Sequence, residues 1–147
     1  MDPARVAELE RRLEHRFQNQ ELLARALTHA SYVNEHSPLD DNEGLAWLGD
    51  AALALVVAEH LFATDPRAPV GVMTPERAGI VSGANLARWA SGLELGALLR
   101  LGRGEEQTGG RQRESVLATA LEAILGVLFL EGGLDTVRRA VRRLAVW

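Results

Sequence analysis

Three acidic side chains of this chain stand at spacings that could gather carboxylate oxygens around one hard cation. Glu43, Ala46 and Asp50 follow one another at i, i+3 and i+7. On a helix these positions share a face, so the stripe reads acid, gap, acid. Much later, Thr119 and Glu122 stand at i and i+3 and adjoin in the same way. If the two helices pack side by side, Asp50 and Glu122 converge within reach of a single ion. Mg²⁺ takes oxygen ligands and often keeps only one or two carboxylates, with water and substrate phosphate completing its shell. Such an ion activates water and neutralises charge in phosphodiester hydrolysis. Acids on helix faces are more often simply solvated, and a Glu in a first turn also answers the helix dipole. Spacing alone leaves both readings open.

The elements that must hold these residues read as helix almost throughout. Asp2 and Pro3 supply a cap and a first-turn proline for a helix to about Phe17, with Val6, Leu9 and Leu13 on one face. Asn19 caps a second, carrying Leu22, Leu23, Ala26 and Leu27. A polar loop over 36–41 follows. Asp40 and Glu43 then form a D-x-x-E capping pattern for a helix to about Ala63, whose apolar stripe is Leu45, Leu48, Ala52, Leu55 and Val56. Asp65-Pro66 ends it, and Thr74-Pro75 predicts the start of another running to about Ala90.

The glycine-rich stretch 92–104 and the polar stretch 105–110 read as turns. They lack the strand context and the Gly-Lys-Ser/Thr ending of a phosphate-binding loop. Ser115 opens a helix to Leu130 that is apolar on all sides, which predicts a central position. Gly132-Gly133 breaks it. A last helix sets Leu134, Val137, Val141 and Leu144 opposite Arg138, Arg139, Arg142 and Arg143, the wet face of an amphipathic helix. No strand alternation is sustained. The expectation is one all-α domain over residues 1–147.

Bulk properties narrow the classes further. The formal net charge of -4 excludes a basic nucleic-acid coat, yet all 16 cations are Arg, which keeps bidentate phosphate recognition available. With no cysteine there is neither disulfide nor thiolate metal site, and a reducing cytoplasm is the expected compartment. No stretch reads as a leader or as a membrane span, so no membrane partner is expected.

Five ordered blocks carry a resemblance to a known family. They are Ala26-Leu27-Thr28-His29-Ala30-Ser31-Tyr32 with Asn34-Glu35, then Asn42 to Asp50, then Gly71-Val72-Met73-Thr74 with Arg77-Ala78. Leu101 to Glu106 follows, with Gly109-Gly110-Arg111, and last Ser115-Val116-Leu117-Ala118. In order and spacing these resemble the endonuclease domain of ribonuclease III, whose signature NERLEFLGD is similar to Asn42–Asp50. The resemblance implies a domain of about seven helices, dimeric, with an acidic valley for double-stranded RNA. It also implies four metal-binding carboxylates per subunit. Asp50 and Glu122 match the second and fourth, as catalytic residues and ligands of Mg²⁺ or Mn²⁺, while Ala46 and Thr119 replace the first and third. Glu43 matches a further acid of the signature and is a candidate ligand. Gly44 replaces the usual Arg, and Val70 the acid that usually precedes the third block.

From this resemblance the expected activity is double-stranded-RNA-directed processing with hydrolysis weakened or lost. Two alternatives stand beside it: a working Mg²⁺-dependent endoribonuclease using Asp50 and Glu122, and a non-catalytic scaffold that dimerises with itself or with an intact relative. Trp47 takes the signature's Phe position, which in the family enters a pocket of the partner subunit; the other reading is a core aromatic. Arg103 and Arg111 are candidate contacts to RNA phosphates. His29 and Tyr32 are read as capping and packing residues. No double-stranded-RNA-binding domain is expected, so affinity for RNA should be weak and steeply salt-dependent.

Overall fold

The computed structural model describes all 147 residues. Eight α-helices follow in order: α1 (Pro3–Leu13), α2 (Gln20–Ala26), α3 (Ala30–Glu35), α4 (Glu43–Thr64), α5 (Val70–Ile80), α6 (Gly83–Gly92), α7 (Arg103–Gln107) and α8 (Glu114–Ala145). Two 3₁₀ turns, Leu95–Leu98 and Gly110–Gln112, flank α7. The only bridge of strand type joins Thr28 to Arg100. The class is all-α.

Helix α8 forms the axis. Leu121, Ile124, Leu125, Val127 and Leu128 are fully buried, as its all-round hydrophobicity predicts, and α4 and α6 lie along it. The break expected at Gly132-Gly133 is a kink within α8, where Gly133 takes φ 71°, ψ -166°, a backbone closed to other residues. Helices α4 and α8 are each long and apolar enough to cross a membrane, against the expectation that no stretch is. Their hydrophobicity has another use here: 61% of the apolar window of α8 is buried inside the fold, and 39% of that of α4. The rest of α4 keeps an exposed apolar face.

Glycine sets how closely α4 and α8 approach. A Cβ at Gly49 would overlap the carbonyl oxygen of Glu122 and stand 2.8 Å from the Gly126 nitrogen; one at Gly126 would overlap the carbonyl oxygen of Leu45. The helix backbones therefore touch, which bulkier residues would prevent.

Several boundaries differ from expectation. Helix α1 stops at Leu13, with Glu14 left-handed, because the following segment is tied to side chains elsewhere: the amides of Gln18 and Asn19 donate to Glu131 and that of Phe17 to Glu10. The helix expected over 74–90 is two. It starts at Val70, with Pro75 inside α5, and ends at Ile80. Pro75 removes only the hydrogen bond to the carbonyl of Gly71, an exposed residue at the helix start whose oxygen is open to solvent. Ser82 then caps α6, its hydroxyl accepting the Asn85 amide at 3.2 Å. Part of the stretch expected as turns is α7.

The start of α4 departs in detail. Asp41, not Asp40, accepts the Glu43 amide, at 3.0 Å. Asn42 is buried and anchors this corner by donating to the carbonyls of Thr28 and Ala26.

Candidate active site

The register of α4 is set at its first turn, where Asn42 ties the helix to the end of α2. From there Glu43, Ala46 and Asp50 descend one face, while α8 turns Thr119 and Glu122 toward them. The contact of Gly49 with the Glu122 backbone closes the gap. Glu43, Ala46, Trp47, Asp50, Thr119 and Glu122 together line one open cavity of about 300 Å³. Two larger surface cavities, about 720 and 640 Å³, contain none of these residues.

Asp50 and Glu122 both line this cavity. Burial, then hydrogen bonding to Asp50 and its charge, push the Glu122 carboxyl up to about 7. Below that pH Glu122 holds a proton beside Asp50. Ala46 is 7% exposed and offers no oxygen; Thr119 offers a hydroxyl. No group of three or more acidic or histidine side chains lies close enough to enclose an ion. The donors fit Mg²⁺ or Mn²⁺ as an ion held by two carboxylates, with the remaining ligands left to water and phosphate.

The other expected residues part company. Trp47 is 80% exposed, so the core-aromatic reading fails. Arg103 is exposed at the first position of α7, and its guanidinium forms no hydrogen bond or ion pair within the protein. Arg111 differs: its guanidinium donates to the carbonyls of Gly96 and Leu99 and pairs with Glu106 at 2.8 Å. Those bonds tie the two 3₁₀ turns together, leaving few donors for phosphate. His29 caps α3, its Nδ1 accepting the Ser31 amide at 3.1 Å, and burial lowers its pKa. Tyr32 stacks on His36 at 3.9 Å, beneath the Arg100 guanidinium.

Sequence reasoning passed over Gly49 and Gly126, which set the approach of the two acids, and Glu131, which is 7% exposed and gathers the His15 side chain with two backbone amides. Two small residues at facing positions of two apolar helices, and an acid just before a Gly-Gly break, were the available signals.

Comparison with known proteins agrees with this architecture. The profile of the family described as ribonuclease-III-like matches residues 19–146. Among curated relatives, ribonuclease 3 of Oceanobacillus iheyensis is 49% identical over 134 residues, covering 90% of this chain and 59% of that protein. Ribonuclease 3 of Streptomyces coelicolor is 48% identical over 136 residues, covering 92% of this chain and 49% of its own. The chain thus spans about half to three-fifths of the length of these relatives. A solved nuclease domain of ribonuclease III from Campylobacter jejuni, described for structural flexibility in a region involved in dimer formation, superposes with a TM-score of 0.88 at 37% identity, covering 95% of this chain and 94% of that one. The chain belongs to the ribonuclease-III-like family.

Proposed function

We propose that this protein is a ribonuclease III-type, double-stranded-RNA-directed protein of cytoplasmic RNA processing whose hydrolytic power is weakened or lost. The observation that carries the reading is the cavity where Asp50 and Glu122 meet but Ala46 and Thr119 supply no anion. Bound there, Mg²⁺ or Mn²⁺ would supply water activation and neutralise phosphate charge. Asp50 and Glu122 are its ligands in this reading, Glu43 lines the same wall, and Thr119 contributes a neutral hydroxyl. Glu122 also holds a proton near neutrality, so the bare pair is a weak competitor for a cation at acidic pH.

Loss of a single supporting partner of a metal costs about 10–100-fold in affinity or activity, so two missing carboxylates should cost roughly 10²–10⁴-fold together. The protein acts as a homodimer through the exposed face of α4 that begins at Trp47. Arg103 is the better candidate than Arg111 for a phosphate contact.

The test is cleavage of a duplex RNA in Mg²⁺ or Mn²⁺, by the protein as it stands and by Asp50→Asn. Absent or very slow cutting, with duplex binding retained, is the expected result. Brisk cutting that Asp50→Asn abolishes would establish the active endoribonuclease instead. Co-purification with an intact relative, without RNA binding, would favour a scaffold.

A further inference from the structure

We infer that the chain carries a second binding site, for a nucleotide held by its phosphate and its base, in the cavity framed by the ends of α1, α6 and α8. This cavity measures about 640 Å³, and none of its residues lines the acidic cavity between α4 and α8.

Four arginines line it: Arg12 of α1, Arg88 of α6, and Arg142 and Arg143 of α8. No acidic side chain does. Cations in the last turn of α8 answer the helix dipole. That accounts for Arg142 and Arg143 but not for Arg12 and Arg88, which other helices bring to the same place.

Two of the four are already neutralised. Arg12 pairs with Glu8 at 2.7 Å and Glu94 at 3.5 Å, and donates to the Gly92 carbonyl. Arg143 pairs with Glu14 at 2.9 Å and donates to the Arg12 carbonyl at 2.7 Å. The other two are not. Arg88 donates only to the neutral side chain of Asn85, and the Arg142 guanidinium makes no hydrogen bond or ion pair within the protein. Glu59, whose charge reaches Arg142, is already paired with Arg138 at 2.6 Å. Two arginines without a carboxylate thus meet at one cavity of a chain whose net charge is -4. An anion bound between them relieves their repulsion, and the planar guanidinium fork matches phosphate.

The rest of the lining is apolar and includes Trp89, Leu93, Leu144 and Trp147. Trp147 is 38% exposed and stacks on His60 at 3.6 Å. His60 does not line the cavity, so the indole meets it away from that stacked face. A bare anion has no use for such a floor. A nucleotide supplies both a phosphate for the arginines and a flat base for the indole.

Titration of the full chain with adenosine 5′-monophosphate, followed by tryptophan fluorescence, tests this. Saturable quenching is expected, with adenosine binding at least about ten-fold more weakly, since one lost charge-assisted contact is worth that much. Arg88→Ala/Arg142→Ala should raise the dissociation constant at least about ten-fold while the melting temperature changes little. On the wild type, inorganic phosphate should displace the nucleotide and polyglutamate at matched ionic strength should not. A short oligoadenylate that binds more tightly than the mononucleotide would identify the ligand as a single RNA strand; the reverse order would identify it as a free nucleotide, and either upholds the site. Equal affinity for adenosine and its phosphate, an unchanged constant in the folded double variant, or displacement by polyglutamate as readily as by phosphate would overturn it. So would the absence of saturable quenching.

Discussion

Gly49 lies against the backbone of Glu122 so closely that the next residue, Asp50, comes within hydrogen-bonding reach of the Glu122 carboxyl. An absent side chain on one helix places two acids together. This makes Gly49 as consequential for the site as either carboxylate. Gly49→Ala must push α4 off α8, and because the obstacle is backbone rather than a flexible side chain, the cost should reach the top of the overpacking range, about 3 kcal/mol. Urea denaturation measures it. Gly71→Ala, which meets open space in α5, is the control and should change stability little.

The acid pair also predicts a pH dependence. The folded carboxyl of Glu122 titrates near 7 against an ordinary value of 4.5, so the folded state binds the proton more tightly than the unfolded chain. The contribution is fully present below 4.5 and is lost as pH rises through about 7. Glu122→Gln, a mimic of the protonated form, should therefore gain melting temperature over the wild type at pH 8 and gain less or none at pH 5. Equal differences at both pH values would contradict the proton held by Glu122.

Glu131 has the opposite sign. Burial raises its pKa, but bonds from His15 and the amides of Asn19 and Gln18 outweigh that, and the net shift is downward. Its stabilisation is present above the ordinary carboxylate range and disappears as pH falls below it. Glu131→Ala leaves the Gln18 and Asn19 amides and the His15 ring without their acceptor, and should cost about 2–3 kcal/mol by thermal or chemical melting at neutral pH. The α1–α2 segment should then exchange its amide hydrogens faster.

What the sequence disclosed follows from how local each signal is. The i, i+3, i+7 spacing of Glu43, Ala46 and Asp50 is a property of one helix, and it survives folding because α4 forms as a single element. The convergence with Thr119 and Glu122 required only that two apolar helices pack, although the register was set by Gly49 and Gly126, whose role appears only when the backbones meet. Pro75 misled because a Thr-Pro pair is a sound start signal, yet here the ring stands at the sixth position of α5, where it removes one hydrogen bond to an exposed carbonyl. Arg111 could not be read at all: its partners Gly96 and Leu99 are 15 and 12 residues away and approach it only when the two 3₁₀ turns come together.

The two arginines should separate cleanly in binding. Arg103→Ala should weaken duplex RNA binding and reduce the slope of log affinity against log salt by about 1, as for one lost phosphate contact. Arg111→Ala should lower the melting temperature, since the carbonyls of Gly96 and Leu99 lose their donor, and leave that slope unchanged. Filter binding across a salt series, beside a melt of each variant, distinguishes them.

In the proposed reading, missing anions at two positions weaken hydrolysis while the architecture persists. The most direct measurement is the single-turnover cleavage rate of duplex RNA at physiological magnesium, for the wild type and for Ala46→Glu/Thr119→Asp. Negligible cutting by the wild type and a gain of at least about 100-fold in the double variant is the predicted result. Rapid cutting by the wild type, with no gain from restoring both carboxylates in a variant that folds, would contradict it.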